Sequence, residues 1–204
     1  MHPNPIYHSA SAAGNLAFAR SRAFGTLAVN GAEGPLISHV PFLLSKDGQS
    51  ADLHLMRSNP IARAADHALP AVIAVSGPDS YISPDWYGID DQVPTWNYVA
   101  VHLRGQVQLL PQDMLRDLID RESAAFEARL APKPIWHSDK MDAAALDRMM
   151  RMIVPVRFQV ASVDGTWKLS QNKPPEAQDS AARHVAQHGF GLEPRALADR
   201  MGRP

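Results

Sequence analysis

The chain of 204 residues carries 20 Lys and Arg against 21 Asp and Glu, a formal net charge of -1, with 45% hydrophobic residues, 20% charged residues and no cysteine. That balance excludes whole-molecule steering toward nucleic acid or an anionic membrane surface. The absence of cysteine excludes disulfides, thiolate zinc sites and cysteine nucleophiles together. No window approaches the ~18 consecutive apolar residues of a membrane helix, so a soluble cytoplasmic protein of one domain, or one domain with a short appendage, is expected.

In chain order, Ser11 to Arg22 has the spaced apolar residues of a helix. "FGTLAV" and "LISHVPFLL" read as the two strands of a hairpin joined by the turn residues "NGAEGP". Pro41, inside the second of these, implies an edge position or a bulge. "DLHLMRS" alternates as a third strand, and "NPIARAADH" opens a helix with Asn59 as N-cap and Pro60 at the first helical position. "PAVIAVSG" fits a short buried strand, and "SYISPDWYGIDDQ" an irregular loop. "VPTWNYVAVHLRG" then enters a strand that runs to Leu110. Gln112 to Leu130 reads as a helix, and Ser138 as the cap of another. "VPVRFQVASV" and "TWKLSQN" flank Asp164-Gly165, a hairpin signal. From Lys173 the composition shifts to a linker and two short helical pieces separated by Gly189 to Glu193, which sets residues 1–175 apart from a helical tail, 176–204. Strands joined mostly as hairpins, with helices inserted late, indicate an α+β fold built on an antiparallel barrel, closed or split.

Four segments carry chemistry. On the "VPTWNYVAVHLRG" strand, Thr95 and Asn97 continue the core-facing row of Val99, Val101 and Leu103, while Trp96 and Tyr98 face the other way. A core row that turns polar at one end suits either the mouth of a barrel, where a ligand sits, or simple satisfaction of backbone groups where loop meets strand. "RSNP" places Arg57 and Ser58 beside the Asn59 helix start, which suits a phosphate or an ordinary capped helix. In "TWKLSQNK", Lys168, Ser170 and Asn172 share one face, an anion-binding row or the solvent face of an edge strand. The loop "SYISPDWYG" concentrates rings as interfaces and lids do, or as packing over a barrel end does. His39 lies inside the Pro41-bearing strand. The histidines form no metal motif: there is no HExxH, and His184 and His188 lack a nearby carboxylate partner. GxSxG, P-loop and GxGxxG signatures are also missing.

The order of "HVPFLL", "LHLMRSNP", "SGPDSYISPDWYG", "VPTWNYVAVHLRGQ" and "WKLSQNK" resembles the PaiB-type family of FMN-binding negative transcriptional regulators over Pro5 to Lys173. The resemblance implies an antiparallel split β-barrel of the flavin-reductase and pyridoxamine-phosphate-oxidase type, a homodimer, and FMN near the subunit interface. It implies further that Arg57, Ser58 and Asn59 meet the FMN phosphate with Lys168 as a second cation, that Thr95, Asn97 and Gln171 lie at the cofactor, that Trp96, Tyr81 or Trp86 covers the ring face, and that His39 sits close by. Two function classes follow, a flavin-binding regulator or sensor without turnover, which is preferred, and an FMN-dependent oxidoreductase using NAD(P)H or another reductant. A haem-type cofactor on His39 or His102 is a third reading. DNA is the partner implied by the regulator class, but neither the charge balance nor a recognised motif supports it. Ser180 to Met201, with Arg183, Arg195, Arg200 and Arg203, lacks the tight turn of a helix-turn-helix and reads better as a terminal helix pair.

Overall fold

The computed structural model describes residues 2–202. Its seven strands are β1 (Phe24–Gly31), β2 (Gly34–Pro41), β3 (Leu43–Leu44), β4 (Ser50–Met56), β5 (Leu69–Ile82), β6 (Thr95–Leu109) and β7 (Ile153–Lys168). The α-helices are α1 (Ala12–Arg22), α2 (Pro60–Ala64), α3 (Leu115–Glu127), α4 (Ala143–Met150), α5 (Pro175–His188) and α6 (Pro194–Met201). The strands form one antiparallel sheet in the order β2-β1-β5-β6-β7-β4-β3. The chain divides into two compact units, one of residues 19–74 and 103–162, the other of the amino-terminal residues through 18 with 75–102 and 163 onward. No helix among the described residues is long and apolar enough to cross a membrane.

In the first unit, β1 and β2 form the expected hairpin, closing where Gly31 pairs with Gly34 around Ala32 and Glu33. Gly34 has φ +130°, a conformation that disfavours any side chain. Pro41 ends β2, which is a terminal strand of the sheet, so its missing N–H costs no ladder bond. Asn59 caps α2 by accepting from Ile61 N, with Pro60 leading the helix. β2 also lies against β4, which draws the two ends of the strand order together. Leu27, Val40, Phe42, Leu53, Ile73, Leu103, Val156 and Phe158 are buried there, with Leu115 and Leu118 of α3.

Ser138 does not cap α4. Its hydroxyl donates to Asp120 Oδ1 and accepts from the Arg116 guanidinium, both at 2.7 Å, while Asp142 accepts from Ala145 N and caps the helix. The ion pair nearby drew Ser138 away from the role its position suggested.

The second unit corrects two local readings. Asp164-Gly165 is no turn, because β7 runs unbroken from Ile153 to Lys168 and neither residue has a positive φ. The glycine is needed for a close approach: a Cβ at Gly165 would fall 2.1 Å from Asn15 Oδ1, which accepts from Trp167 Nε1 at 2.8 Å. Nor is "SYISPDWYG" irregular throughout. Ser80, Tyr81 and Ile82 extend β5, and Pro84–Tyr87 form a 3-10 turn. Ile82 and Tyr87 are buried in one cluster with Ala177, Ala181, Ala182 and Val185 of α5 and Leu197, Ala198 and Met201 of α6. The two tail helices expected from the sequence therefore share a core with β5, and small alanines let α5 approach closely. Arg200 lies over the rings of Phe18 and Trp167 at 5.6 and 5.4 Å. Arg203 lies outside the described residues.

Candidate functional site

The candidate residues divide between the two units. His39, Arg57, Ser58 and Asn59 belong to the unit of residues 19–74 and 103–162, and the others to the second unit.

At the end of β4 the chain turns into α2 through Arg57, Ser58 and Asn59. Asn59 Oδ1 accepts from Ile61 N at 2.9 Å and its Nδ2 donates to Ser38 Oγ at 2.8 Å, so one side chain caps the helix and ties the turn to β2. Arg57 is exposed, and its guanidinium donates from Nε to the Arg151 carbonyl at 3.1 Å and from one terminal nitrogen to Gln112 Oε1 at 2.9 Å. These bonds fix the orientation of the guanidinium, and Ser58, the next residue, is exposed. Ser38, not His39, faces Asn59. Alternation along β2 sends His39 to the opposite face, where its ring lies 6.5 Å from that of Phe24. Sequence reasoning missed Ser38 because its neighbour carried the more reactive side chain.

In the second unit the pleat of β6 is as expected: Asn97, Val99 and Val101 are buried, while Trp96 is 40% exposed. Asn97 is completely buried, and its Nδ2 donates to Ser170 Oγ at 2.7 Å. Ser170 Oγ also meets Tyr87 Oη at 2.8 Å. Among the described residues Asn97 Oδ1 has no partner. Lys168 Nζ donates to Thr95 Oγ1 and lies over the Tyr7 ring at 5.9 Å. Lys173 Nζ donates to Gln92 Oε1 and lies over the Tyr87 ring at 5.3 Å. These groups line a pocket of about 180 Å³ that also includes Val93 and Asn172, and among the described residues no carboxylate lines it. Burial first, and the neighbouring charge of Lys173 second, lower the Lys168 pKa from its ordinary value. Burial likewise raises the Tyr87 phenol, against the opposing effect of its bond to Ser170. Lys168, Ser170 and Asn172 all line this pocket, with Ser170 buried, Lys168 half-buried and Asn172 exposed. A left-handed Ser170, φ 62°, ends the alternation there. Tyr7, Tyr87 and Lys173 carried no local signal for it.

The rings expected over a flavin are engaged with the tail segment. Tyr81 stacks on Phe190 with centroids 5.6 Å apart, and Trp96 meets the edge of both. Trp86 stacks on His184 at 5.8 Å with the planes 8° apart. Gln171 serves the backbone: its Oε1 accepts from Leu169 N at 2.7 Å, and its Nε2 donates to the Trp167 carbonyl at 2.6 Å and the Ile6 carbonyl at 3.2 Å.

Among curated proteins, the chain is 29% identical over 158 residues to "Protease synthase and sporulation protein PAI 2" of Bacillus subtilis, covering 76% of this chain and 75% of that protein. It is 30% identical over 102 residues to an uncharacterized protein of Saccharomyces cerevisiae, of which 60% is covered, against 44% of this chain. Among solved structures, an FAD and heme binding protein from Mycobacterium smegmatis superposes with a TM-score of 0.57 at 15% identity, covering 90% of this chain and 81% of that one. A conserved hypothetical protein from Mycobacterium tuberculosis gives the same TM-score and identity over 85% and 94% of the two chains. These likenesses agree with the α+β antiparallel split-barrel class. The model of the family described as "Putative FMN-binding domain" matches residues 1–162. The chain belongs to this FMN-binding domain family, and FMN is its cofactor.

Proposed function

We propose that the protein works as a cytoplasmic homodimer that binds FMN and acts as a flavin-dependent negative regulator of transcription without turnover, the FMN phosphate being received at Arg57, Ser58 and Asn59. The observation that carries the phosphate assignment is the orientation of Arg57. With its guanidinium held by the Arg151 carbonyl and Gln112, and with the exposed Ser58 and the capped helix start next in the chain, little side-chain entropy is left to lose on meeting an anion. Removing Asn59 would release both the cap and the tie to Ser38. The regulator reading draws support from the likeness to the Bacillus subtilis protein, whose name refers to protease synthesis and sporulation.

Titration of the purified protein with FMN, followed by quenching of flavin fluorescence, tests the reading. Arg57→Ala is expected to weaken FMN by about tenfold or more, the worth of a charge-assisted contact to phosphate. Unchanged affinity removes Arg57 from the phosphate site. Steady oxidation of NAD(P)H by the loaded protein overturns the regulator in favour of the oxidoreductase, and a monomeric mass in solution overturns the dimer.

A further inference from the structure

We propose that the pocket formed by Lys168, Lys173, Asn97, Ser170 and Tyr87 is a second ligand site, separate from the flavin, for a small oxyanion that keeps one O–H, of the phosphate type.

Size argues first. At about 180 Å³ the pocket is well below the ~300–1,000 Å³ of sites that enclose whole cofactors. A phosphate-sized anion fits it, while a flavin ring system does not. Charge argues second. Two ammonium groups face the pocket, and among the described residues their partners are neutral: Thr95 and the Tyr7 ring for Lys168, Gln92 and the Tyr87 ring for Lys173. Burial and the neighbouring charge of Lys173 hold the Lys168 pKa below its ordinary value, and an anion between the two ammonium groups would oppose both effects. The third argument is the unpaired acceptor. Asn97 is wholly buried, its Nδ2 is engaged by Ser170 and the Met201 sulfur, and among the described residues its Oδ1 has no partner, which in a protein interior is costly. A ligand with one O–H and several acceptor oxygens supplies the donor that Asn97 lacks and the charge that the lysines lack. Monohydrogen phosphate has both; sulfate, of similar size and charge, has no O–H at neutral pH.

Sequence resemblance assigned Lys168, Thr95 and Asn97 to FMN; the small pocket gathers them around a smaller anion. The N-terminal turn closes one side, since Tyr7 is 6% exposed and Gln171 holds the Ile6 carbonyl.

The test titrates inorganic phosphate and sodium sulfate into the full protein, with and without saturating FMN, following heat of binding and thermal midpoint. The expected result is phosphate binding about tenfold tighter than sulfate, to the same extent with FMN bound. Lys173→Met should weaken phosphate by about tenfold while FMN affinity and the midpoint without phosphate stay at wild-type values, showing that the variant folds. Three outcomes overturn the proposal: no phosphate binding at millimolar concentration, equal binding of sulfate, or loss of phosphate binding in proportion to FMN occupancy. The last would return the pocket to the phosphate group of the flavin itself. Because the Arg57→Ala titration reads FMN alone, failure of the flavin assignment and failure of the oxyanion site give different results.

Discussion

Asn97 Nδ2 donates a 2.7 Å hydrogen bond to Ser170 Oγ, tying the buried start of β6 to the turn that follows β7. Ser170 is 2% exposed and also holds the Tyr87 hydroxyl, so one small residue satisfies two buried groups from distant parts of the sequence. Ser170→Ala removes the partner of the Tyr87 hydroxyl and leaves Asn97 Nδ2 with the Met201 sulfur at 3.5 Å. The expected loss is about 1–3 kcal/mol, measured as a lowered denaturation midpoint with an unchanged slope. A wild-type midpoint would show that water replaces the hydroxyl at no cost.

Gly165→Ala tests the unbroken course of β7. The new Cβ would fall 2.1 Å from Asn15 Oδ1 and displace the acceptor of the Trp167 indole N–H. A loss of about 1–3 kcal/mol is expected, as for overpacking in a filled interior. Adding Asn15→Ala should recover part of it, because the clash disappears along with the bond. Strictly additive losses in this double-mutant cycle would rule out the contact.

Asp52 contributes to acid sensitivity in the unit of residues 19–74 and 103–162. Burial alone would raise its pKa, but bonds from Arg157 at 2.7 and 3.0 Å and from Arg121 at 3.0 Å hold it below the ordinary carboxylate value. With the folded pKa below the unfolded one, the unfolded chain binds more protons in between. The contribution to stability is complete above the unfolded value of about 3.9 and is lost as pH falls through the folded value. Asp52→Asn should therefore cost about 1–3 kcal/mol at neutral pH and flatten the decline of stability below about pH 4. An identical acid profile in the variant would assign that decline to other carboxylates.

Leu197→Ala probes whether the tail belongs to the core. Leu197 is fully buried against the cluster that contains Ile82 and Tyr87. A loss of about 2–4 kcal/mol is expected, in one cooperative transition reported alike by Trp fluorescence and far-ultraviolet circular dichroism. A separate early transition of the helices alone would mark the tail as an independent appendage.

Much of the fold was legible because its signals are local or periodic. The alternation of β6 follows from a side-chain period of two with one face buried, and the Asn59-Pro60 helix start needs only its own four residues. The hairpin of β1 and β2 was readable for the same reason, its turn chemistry lying between two apolar runs. Asp164-Gly165 misled because a glycine that permits a turn also permits a close approach, and Asn15, far away in sequence, chose the second. Ser138 misled because its hydroxyl found an Arg116–Asp120 pair contributed by α3.

For the candidate site the division is similar. The sequence alone determined the residue types of each segment, the strand faces they occupy and, through motif order, the FMN-binding family and the split-barrel class. Only the tertiary structure decided that Arg57 is braced by Arg151 and Gln112, that Ser38 and not His39 meets Asn59, and that Lys173, Tyr87 and Tyr7 join Lys168 around one pocket. Strand periodicity places a side chain on a face of its own element; which distant groups pack against that face depends on burying apolar surface and pairing polar groups across the whole chain, and no local spacing records that outcome.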